Sequence, residues 1–396
     1  MFLKVFTIIV ILILSIKVII AMKWPFWSKQ PVFHYWNAML WMTPNRIINP
    51  SPSNKNSRYY DRNISFEDIN NAKPDTITEF CELVRNHFMR SKEVDFSPSP
   101  ANILAHFKYN DRHSHIAYLK EPITRTMIGA ITGKPMTCYF SETNPSNKGK
   151  VSSTRIPLNY VDFLCVDRKH RKKDLAPKLI YTYYENQQNS KCNSICLFKR
   201  EGDTHFIVPL CAYMTHGFSL EKLFYNLRIR KKTFSLPPLT TILHINDAKS
   251  LTILTQYEHT LKSVFKCLIM PATLNIAHML ETKVYHMYAL ISEQGNSLLS
   301  LYVFKDTETA FDGEKSLDCI ASFNNTDETT FTNGFLNVLA TKITTNVLVM
   351  ENIAHNGHLI RAISAVCQPS FHSKTSYYFY NYASHPLDSR EVLVLC

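Results

Sequence analysis

DFLCVDRKHRKKDLAPKLIY, residues 162–181, runs four apolar or thiol residues, Phe163 to Val166, straight into a basic arm. Of the seven residues 167–173, six are Arg, Lys or His. A helical pattern then resumes at Leu175, with Ala176 and Pro177 in the first turn, where proline's fixed φ and missing N–H are tolerated. A strand feeding a helix start gathers free backbone N–H groups and the positive end of the helix dipole at one point, which suits an anion. Ringed by Arg168, Lys169, Arg171, Lys172 and Lys173, that point fits a pyrophosphate. The same residues also read as a solvated basic face, a nuclear-localisation run or a nucleic-acid patch.

The bulk composition frames this segment. The chain has 396 residues, 45% hydrophobic and 19% charged, enough for two ordinary domains. Its net charge of +12 asks for an anionic partner: nucleic acid, a phosphate-bearing cofactor or a membrane surface. Glycine occurs only 9 times, and neither GxGxxG nor GxxxxGKS/T is present, which argues against a glycine-rich nucleotide loop. The 10 cysteines lack even spacing, as reduced thiols do rather than a disulfide scaffold. CNSIC brings Cys192 and Cys196 close ahead of His205, but the second pair a zinc site needs is missing, so no metal is expected.

Residues 2–22 differ in kind, being almost entirely Ile, Val, Leu and Phe. As a helix, residues 5–22 would span about 27 Å at 1.5 Å per residue, enough to cross a hydrocarbon core. Lys17 would snorkel, and Trp24 and Trp27 would sit at the interface. A cleaved signal peptide and a buried core helix compete with this reading. Ile19 and Ala21 make a poor cleavage site, so an uncleaved single-pass membrane anchor is expected. Lys17, Lys23 and Lys29 against Lys4 alone put the main body in the cytosol.

Beyond the anchor, periodicity predicts helices over 69–90, 102–109 and 175–187, with a short one from 219. Strands are predicted over 114–119, 126–131, 135–140, 159–166 and 194–198. LPPLT at 236–240 reads as a hinge. The second half repeats the rhythm, with helices over 247–265, 272–280, 330–342 and 359–366. Its strands fall over 284–292, 298–304, 319–324, 347–351, 377–382 and 392–396. The fold class expected is mixed α/β in two related halves, residues 24–235 and 236–396, after the segment 1–23.

The opening stretch resembles the signature of the N-myristoyltransferases, in which a strand reading NFLCV precedes a basic arm and an AP-containing helix. WPFWSKQPV (residues 24–32) is similar to the family's N-terminal FW…QPV element. YYFYNY followed by EVLVLC resembles its ending, and SLEKLFYNL near residue 219 is a weaker match. The resemblance covers nearly everything from residue 24 onward. It implies a duplicated GNAT-like acyltransferase fold that moves a myristoyl, or other long-chain acyl, group from acyl-CoA to an N-terminal glycine.

By that resemblance the backbone amides of Phe163 and Leu164 form an oxyanion hole. Cys165 and Val166 line the CoA path. Arg171, Lys172, Lys173, Asp174, Leu175 and Ala176 hold phosphates, and Pro25, Phe26 and Trp27 meet the nucleotide end. The terminal carboxylate of Cys396 is the base that deprotonates the acceptor amine. Myristoyl-CoA enters as a co-substrate, with no permanently bound cofactor. Glycine-terminal proteins and a membrane are the other partners, no nucleic acid is expected, and the chain is a monomer. The chain departs from the family where Asp162 replaces Asn and where Asp174 replaces a basic residue. It departs again at FKRE (198–201), at PSFHSK (369–374) and at RSKE (90–93), so the acceptor side is largely rewritten. A non-catalytic acyl-CoA or lipid-binding scaffold is therefore the second reading. A nucleic-acid or anionic-lipid binder, resting on residues 168–173 and RIRKK (228–232), is the third, and it leaves VLVLC unexplained.

Overall fold

The computed structural model describes residues 2–50, 55–89, 94–142, 152–189, 194–202, 206–228, 234–247, 251–294 and 297–396. RSKE, Cys192, His205 and all of RIRKK after Arg228 lie outside the described residues.

Two parallel strand pairs organise the sheet. Ser152–Val166 runs parallel to Cys196–Glu201, and Glu314–Asn324 runs parallel to Val347–Glu351. A parallel pair needs a long crossover, and helices Leu175–Asn189 and Glu328–Lys342 supply the two. The second helix starts at Asp327, whose side chain accepts from the Thr330 amide at 2.9 Å and satisfies one orphan N–H of the first turn. Antiparallel neighbours flank each pair, Met127–Glu142 beside the first and Ser297–Lys305 beside the second.

The strand following each unit then crosses to the other. Cys211–Ser219 pairs with Val347–Glu351, and Phe371–Tyr380 pairs with Cys196–Glu201. These exchanged strands also pair with one another, which joins the two units into one 16-stranded sheet of a mixed α/β fold. Across this seam Lys199 and Glu351 stand on strands three steps apart, roughly 14 Å in a flat sheet at about 4.8 Å per strand. Their side chains nevertheless meet at 2.5 Å. Side chains leaning together cover part of that gap, and curling of the sheet covers the rest.

The local differences from the sequence reading have physical causes. Met127–Glu142 is one strand, where the pattern suggests two, because Thr132 and Lys134 break an apolar run while being 0% and 2% exposed. Cys267–Met270 is buried on both faces and shows no alternation, and Cys211–Ser219 and Thr240–Ile245 likewise lack a clear period-two signal. The helix predicted over 69–90 is Pro74–His87, cut at its start by a proline at the first helical position.

The N-terminal helix Phe2–Lys23 projects from the body. Ile8, Leu12 and Ile19 are 59–65% exposed, while Ile20 and Trp24 pack on the core around Val166 and Leu175. The expectation of a membrane-spanning helix is corrected here: among the described residues no helix is long and apolar enough to cross a membrane. Nor do the two tryptophans point away from the body. Trp24 sits on Phe206 at 4.7 Å and Trp27 stacks on Phe198 at 5.7 Å, so both clamp the base of the helix.

At the other end, Val392–Val394 docks parallel to Cys267–Met270, and the Leu395 amide donates to Ile269 O at 2.9 Å. Val392, Leu393, Val394 and Leu395 are all buried. Each such side chain stabilises by about 1.5–3 kcal/mol, against about 1–2 kcal/mol per residue for ordering the backbone. The terminus is therefore held, not frayed.

Candidate functional site

The signature strand carries a bulge. Its register with Met127–Glu142 shifts between Ala130↔Cys165 and Thr132↔Asp162, so Phe163 and Leu164 together face the single residue Ile131 and have no register partner. Phe163 has φ 49°, a left-handed conformation that costs a non-glycine residue about 1–2 kcal/mol. Its ring is wedged among Phe80, Phe88, His106 and Phe107 at centroid distances of 5.7–6.2 Å, which holds the kink. Thr132 Oγ1 steadies the bulge further by donating to Asp162 O at 3.0 Å.

A bulge turns amides out of the ladder, which is what an oxyanion hole requires. The Phe163 N–H, however, donates to Asp162 Oδ1 at 2.8 Å. Asp162 therefore places a carboxylate oxygen on one of the two expected donors.

Immediately beyond the bulge lies a cavity of about 420 Å³. Leu164, Cys165, Val166, Arg171, Lys172, Asp174, Leu175 and Ala176 line it, with His87, Phe88 and Met89 opposite. Lys172 and Asp174 take φ values of 62° and 55°, turning the chain into the helix Leu175–Asn189. The positive end of that helix thus opens on the cavity. Arg171 is committed elsewhere: Nε donates to Val166 O at 3.1 Å and Nη2 to His87 O at 2.5 Å, stapling the basic arm to the body. Cys165 is packed, its thiol pushed up to about 12 by burial first, so it is inert at neutral pH.

Four residues expected to bind the CoA lie apart from this lining. Lys173 does not line the cavity, and neither do Pro25, Phe26 and Trp27. Phe26 is buried edge-on against Trp27 and Tyr59, and Trp27 covers Phe198.

The chain end sits in a polar cluster that sequence reasoning missed. Cys396 is 7% exposed, and its terminal O accepts from Lys305 Nζ at 3.1 Å. Its thiol lies 3.1 Å from the Tyr377 hydroxyl. Lys134 feels both Cys396 and the Asp162 carboxylate, yet burial first, and Lys305 second, bring its amine down to about 8. Its Nζ is 3.4 Å from Nδ1 of His106, a ring that burial first, then Lys305 and Lys134, keep neutral. Burial, Cys396 and Asp162 push the Tyr160 hydroxyl well up, with Glu351 adding to the effect.

Glu351 accepts from the Tyr213 hydroxyl at 2.6 Å and pairs with Lys199. Burial raises Asp318 to about 7, against the pull of Lys199 and Lys305 and with the push of Glu351. These groups come from eight strands, the end of the helix Pro100–Ala105 and the terminus, joined by the curled sheet. No local spacing announces them.

The class defined by this architecture is a curled mixed α/β sheet with a bulge beside a helix N-terminus and a docked carboxyl terminus. No family model and no curated protein sequence matches the chain. Among solved structures, its fold is similar to Saccharomyces cerevisiae N-myristoyltransferase with bound myristoyl-CoA. The TM-score there is 0.70 at 13% identity, covering 92% of this chain and 94% of that one. Another structure of the yeast enzyme with bound myristoyl-CoA gives 0.69 at 14% identity, over 92% and 89% of the two chains. A third, with bound myristoyl-CoA and inhibitors, gives 0.69 at 12% identity over 95% of each. The likeness is one of fold, which this chain shares nearly end to end.

Proposed function

We propose that the chain is an acyl-CoA-dependent N-acyltransferase, moving a myristoyl or other long-chain acyl group to the N-terminal glycine of a protein. The observation that carries this reading is the cavity of about 420 Å³ at the segment 164–176, flanked by a strand bulge and opening on a helix N-terminus. In this reading phosphates sit at the helix start with Lys172, and the thioester carbonyl points at the bulge. The Leu164 amide, and the Phe163 amide once Asp162 yields it, stabilise the tetrahedral oxyanion without any side chain. The docked terminal carboxylate receives the acceptor ammonium.

The two halves, 24–235 and 236–396, divide the labour, the first taking acyl-CoA and the second the acceptor. The chain acts as a monomer. The exposed apolar side chains of the N-terminal helix rest on a membrane surface, with the body in the cytosol.

One observation favours the second reading, a non-catalytic acyl-CoA-binding scaffold: the Asp162 carboxylate on the Phe163 amide. The test uses the full chain in detergent, titrated with acyl-CoAs of graded length and then given glycine-terminal peptides. Affinity that climbs with chain length, by up to ~0.8 kcal/mol per buried methylene, followed by amide formation, supports the enzyme. Chain-length-dependent binding without transfer supports the scaffold, and no chain-length dependence overturns both.

A further inference from the structure

The basic arm, residues 167–174, joins the signature strand to the helix Leu175–Asn189, with the short turn Arg168–His170 as its regular structure. Its like charges repel one another, so its shape has to be imposed from outside. The Asp167 amide ties the root of the arm to Ile128 O at 2.9 Å. Two further hydrogen bonds reach from the arm to the helix Pro74–His87, and both end on His87, its last residue. The His87 carbonyl accepts from Arg171 Nη2 at 2.5 Å, a cation on an orphan carbonyl at the negative end of a helix. The ring Nδ1 accepts from the Arg168 N–H at 3.3 Å. A ring that accepts at Nδ1 carries its proton on Nε2 and is neutral, and Nε2 lies 3.7 Å from Asp167 Oδ2. Burial first lowers the proton affinity of this ring; Asp167 opposes that, and Arg168, Arg171 and Lys169 reinforce it. His87 also lines the cavity of about 420 Å³, together with Lys172.

We propose that His87 is the positioning residue that sets the basic arm in its phosphate-receiving shape, so that the protein selects a CoA thioester over the same acyl thioester without phosphates. This rests on the acyltransferase reading. Arg171 is spent on the staple, and what the staple presents is the rest of the arm. Lys172, turned at φ 62°, lines the cavity beside the start of Leu175–Asn189. Drawing Arg168 and Arg171 onto one residue fixes the path of the chain between them and the point from which Lys172 departs. Removing the ring acceptor leaves the Arg168 amide to water and frees the first half of the arm from the helix. Cations that must first be gathered from a loose arm bind phosphate less tightly, because the cost of ordering them then falls on the binding step. An acyl-pantetheine has the same acyl chain and thioester but no phosphate, so its affinity does not depend on the arm.

The experiment uses the full chain in detergent, titrated by calorimetry with myristoyl-CoA and with S-myristoyl-pantetheine. His87→Asn puts Oδ1 where Nδ1 accepts, and His87→Leu keeps an apolar body there without an acceptor. Both leave the backbone carbonyl to Arg171, and the residue is a partly exposed helix end, so both variants are expected to fold. The proposal expects the wild type to prefer myristoyl-CoA. His87→Leu should lose ~10-fold in affinity for it with S-myristoyl-pantetheine unchanged, and His87→Asn should restore the affinity to within ~2-fold. Hydrogen exchange adds a measurement free of any ligand: the Arg168 amide should be protected in the wild type and in His87→Asn and should exchange freely in His87→Leu. Equal wild-type affinity for the two thioesters, wild-type affinity for myristoyl-CoA in His87→Leu, or equal losses for both thioesters would each overturn the role of His87. So would a His87→Asn variant no better than His87→Leu, or an Arg168 amide that exchanges freely in the wild type. Failure of the wild type to bind myristoyl-CoA at all overturns the acyltransferase reading beneath it, and the donor selection with it, whatever the exchange shows.

Discussion

Replacing Lys134 with Met should make the protein more stable at neutral pH. Burial and Lys305 bring this amine from its ordinary 10.5 to about 8. Each tenfold loss of proton affinity corresponds to about 1.36 kcal/mol, so the charged form costs the fold about 3 kcal/mol. The folded value lies below the unfolded one. Between pH 8 and 10.5 the unfolded chain therefore binds more protons, and stability rises with pH through that window. Below pH 8 the whole penalty is present.

Lys134→Met removes the charge while keeping most of the packed side chain. Its gain should be up to about 3 kcal/mol at pH 7, shrinking as pH rises towards 10.5, the ordinary lysine value. Denaturant unfolding followed by tryptophan fluorescence at several pH values measures it directly. A variant less stable than the wild type at pH 7, or a gain that does not shrink with pH, would refute the reasoning.

Asp162→Asn keeps an acceptor on the Phe163 amide but removes the negative charge beside the developing oxyanion, so transfer should rise, by ~10-fold or more in single-turnover assays. A fall in rate would show that the carboxylate serves the reaction. Adding one residue after Cys396 moves the carboxylate about 3.3 Å and breaks its bond with Lys305. Transfer should collapse, while acyl-CoA affinity by calorimetry stays put. Asp318 is raised from its ordinary 3.8 to about 7 by burial. The folded state therefore binds more protons between those values, and stability falls as pH rises through them. Asp318→Asn should flatten that slope in urea titrations, stabilising the protein at pH 7 and above but not near pH 4.

Legibility in the sequence followed how locally each feature is encoded. The strand, basic arm and helix of residues 162–181 were legible because an apolar run, a charge run and a proline at a helix start are each short-range signals. The apolar end VLVLC announced a docked terminus for the same reason. Met127–Glu142 was read as two strands because Thr132 and Lys134 interrupt its pattern. Those residues face the bulge and the chain end, so the break in the pattern was itself the mark of the site. Lys134, Lys199, Lys305, Glu351 and Asp318 stayed invisible. A lone charge in a sequence reads as surface, and only the strand exchange and the curl of the sheet bring these five together.

That convergence also constrains what the site receives. Burial keeps the proton affinity of Asp318 raised although Lys199 and Lys305 both pull it down, and burial, Cys396, Asp162 and Glu351 together raise that of Tyr160. Burial is the first cause in both cases, so what the pocket disfavours is uncompensated charge on its acidic groups. Buried carboxylates are compensated by a cation entering from outside. An ammonium group supplies that charge on arrival and removes it on becoming an amide. The pocket would then bind the acceptor better than the product, and release of the acylated chain would follow from electrostatics, without a moving part.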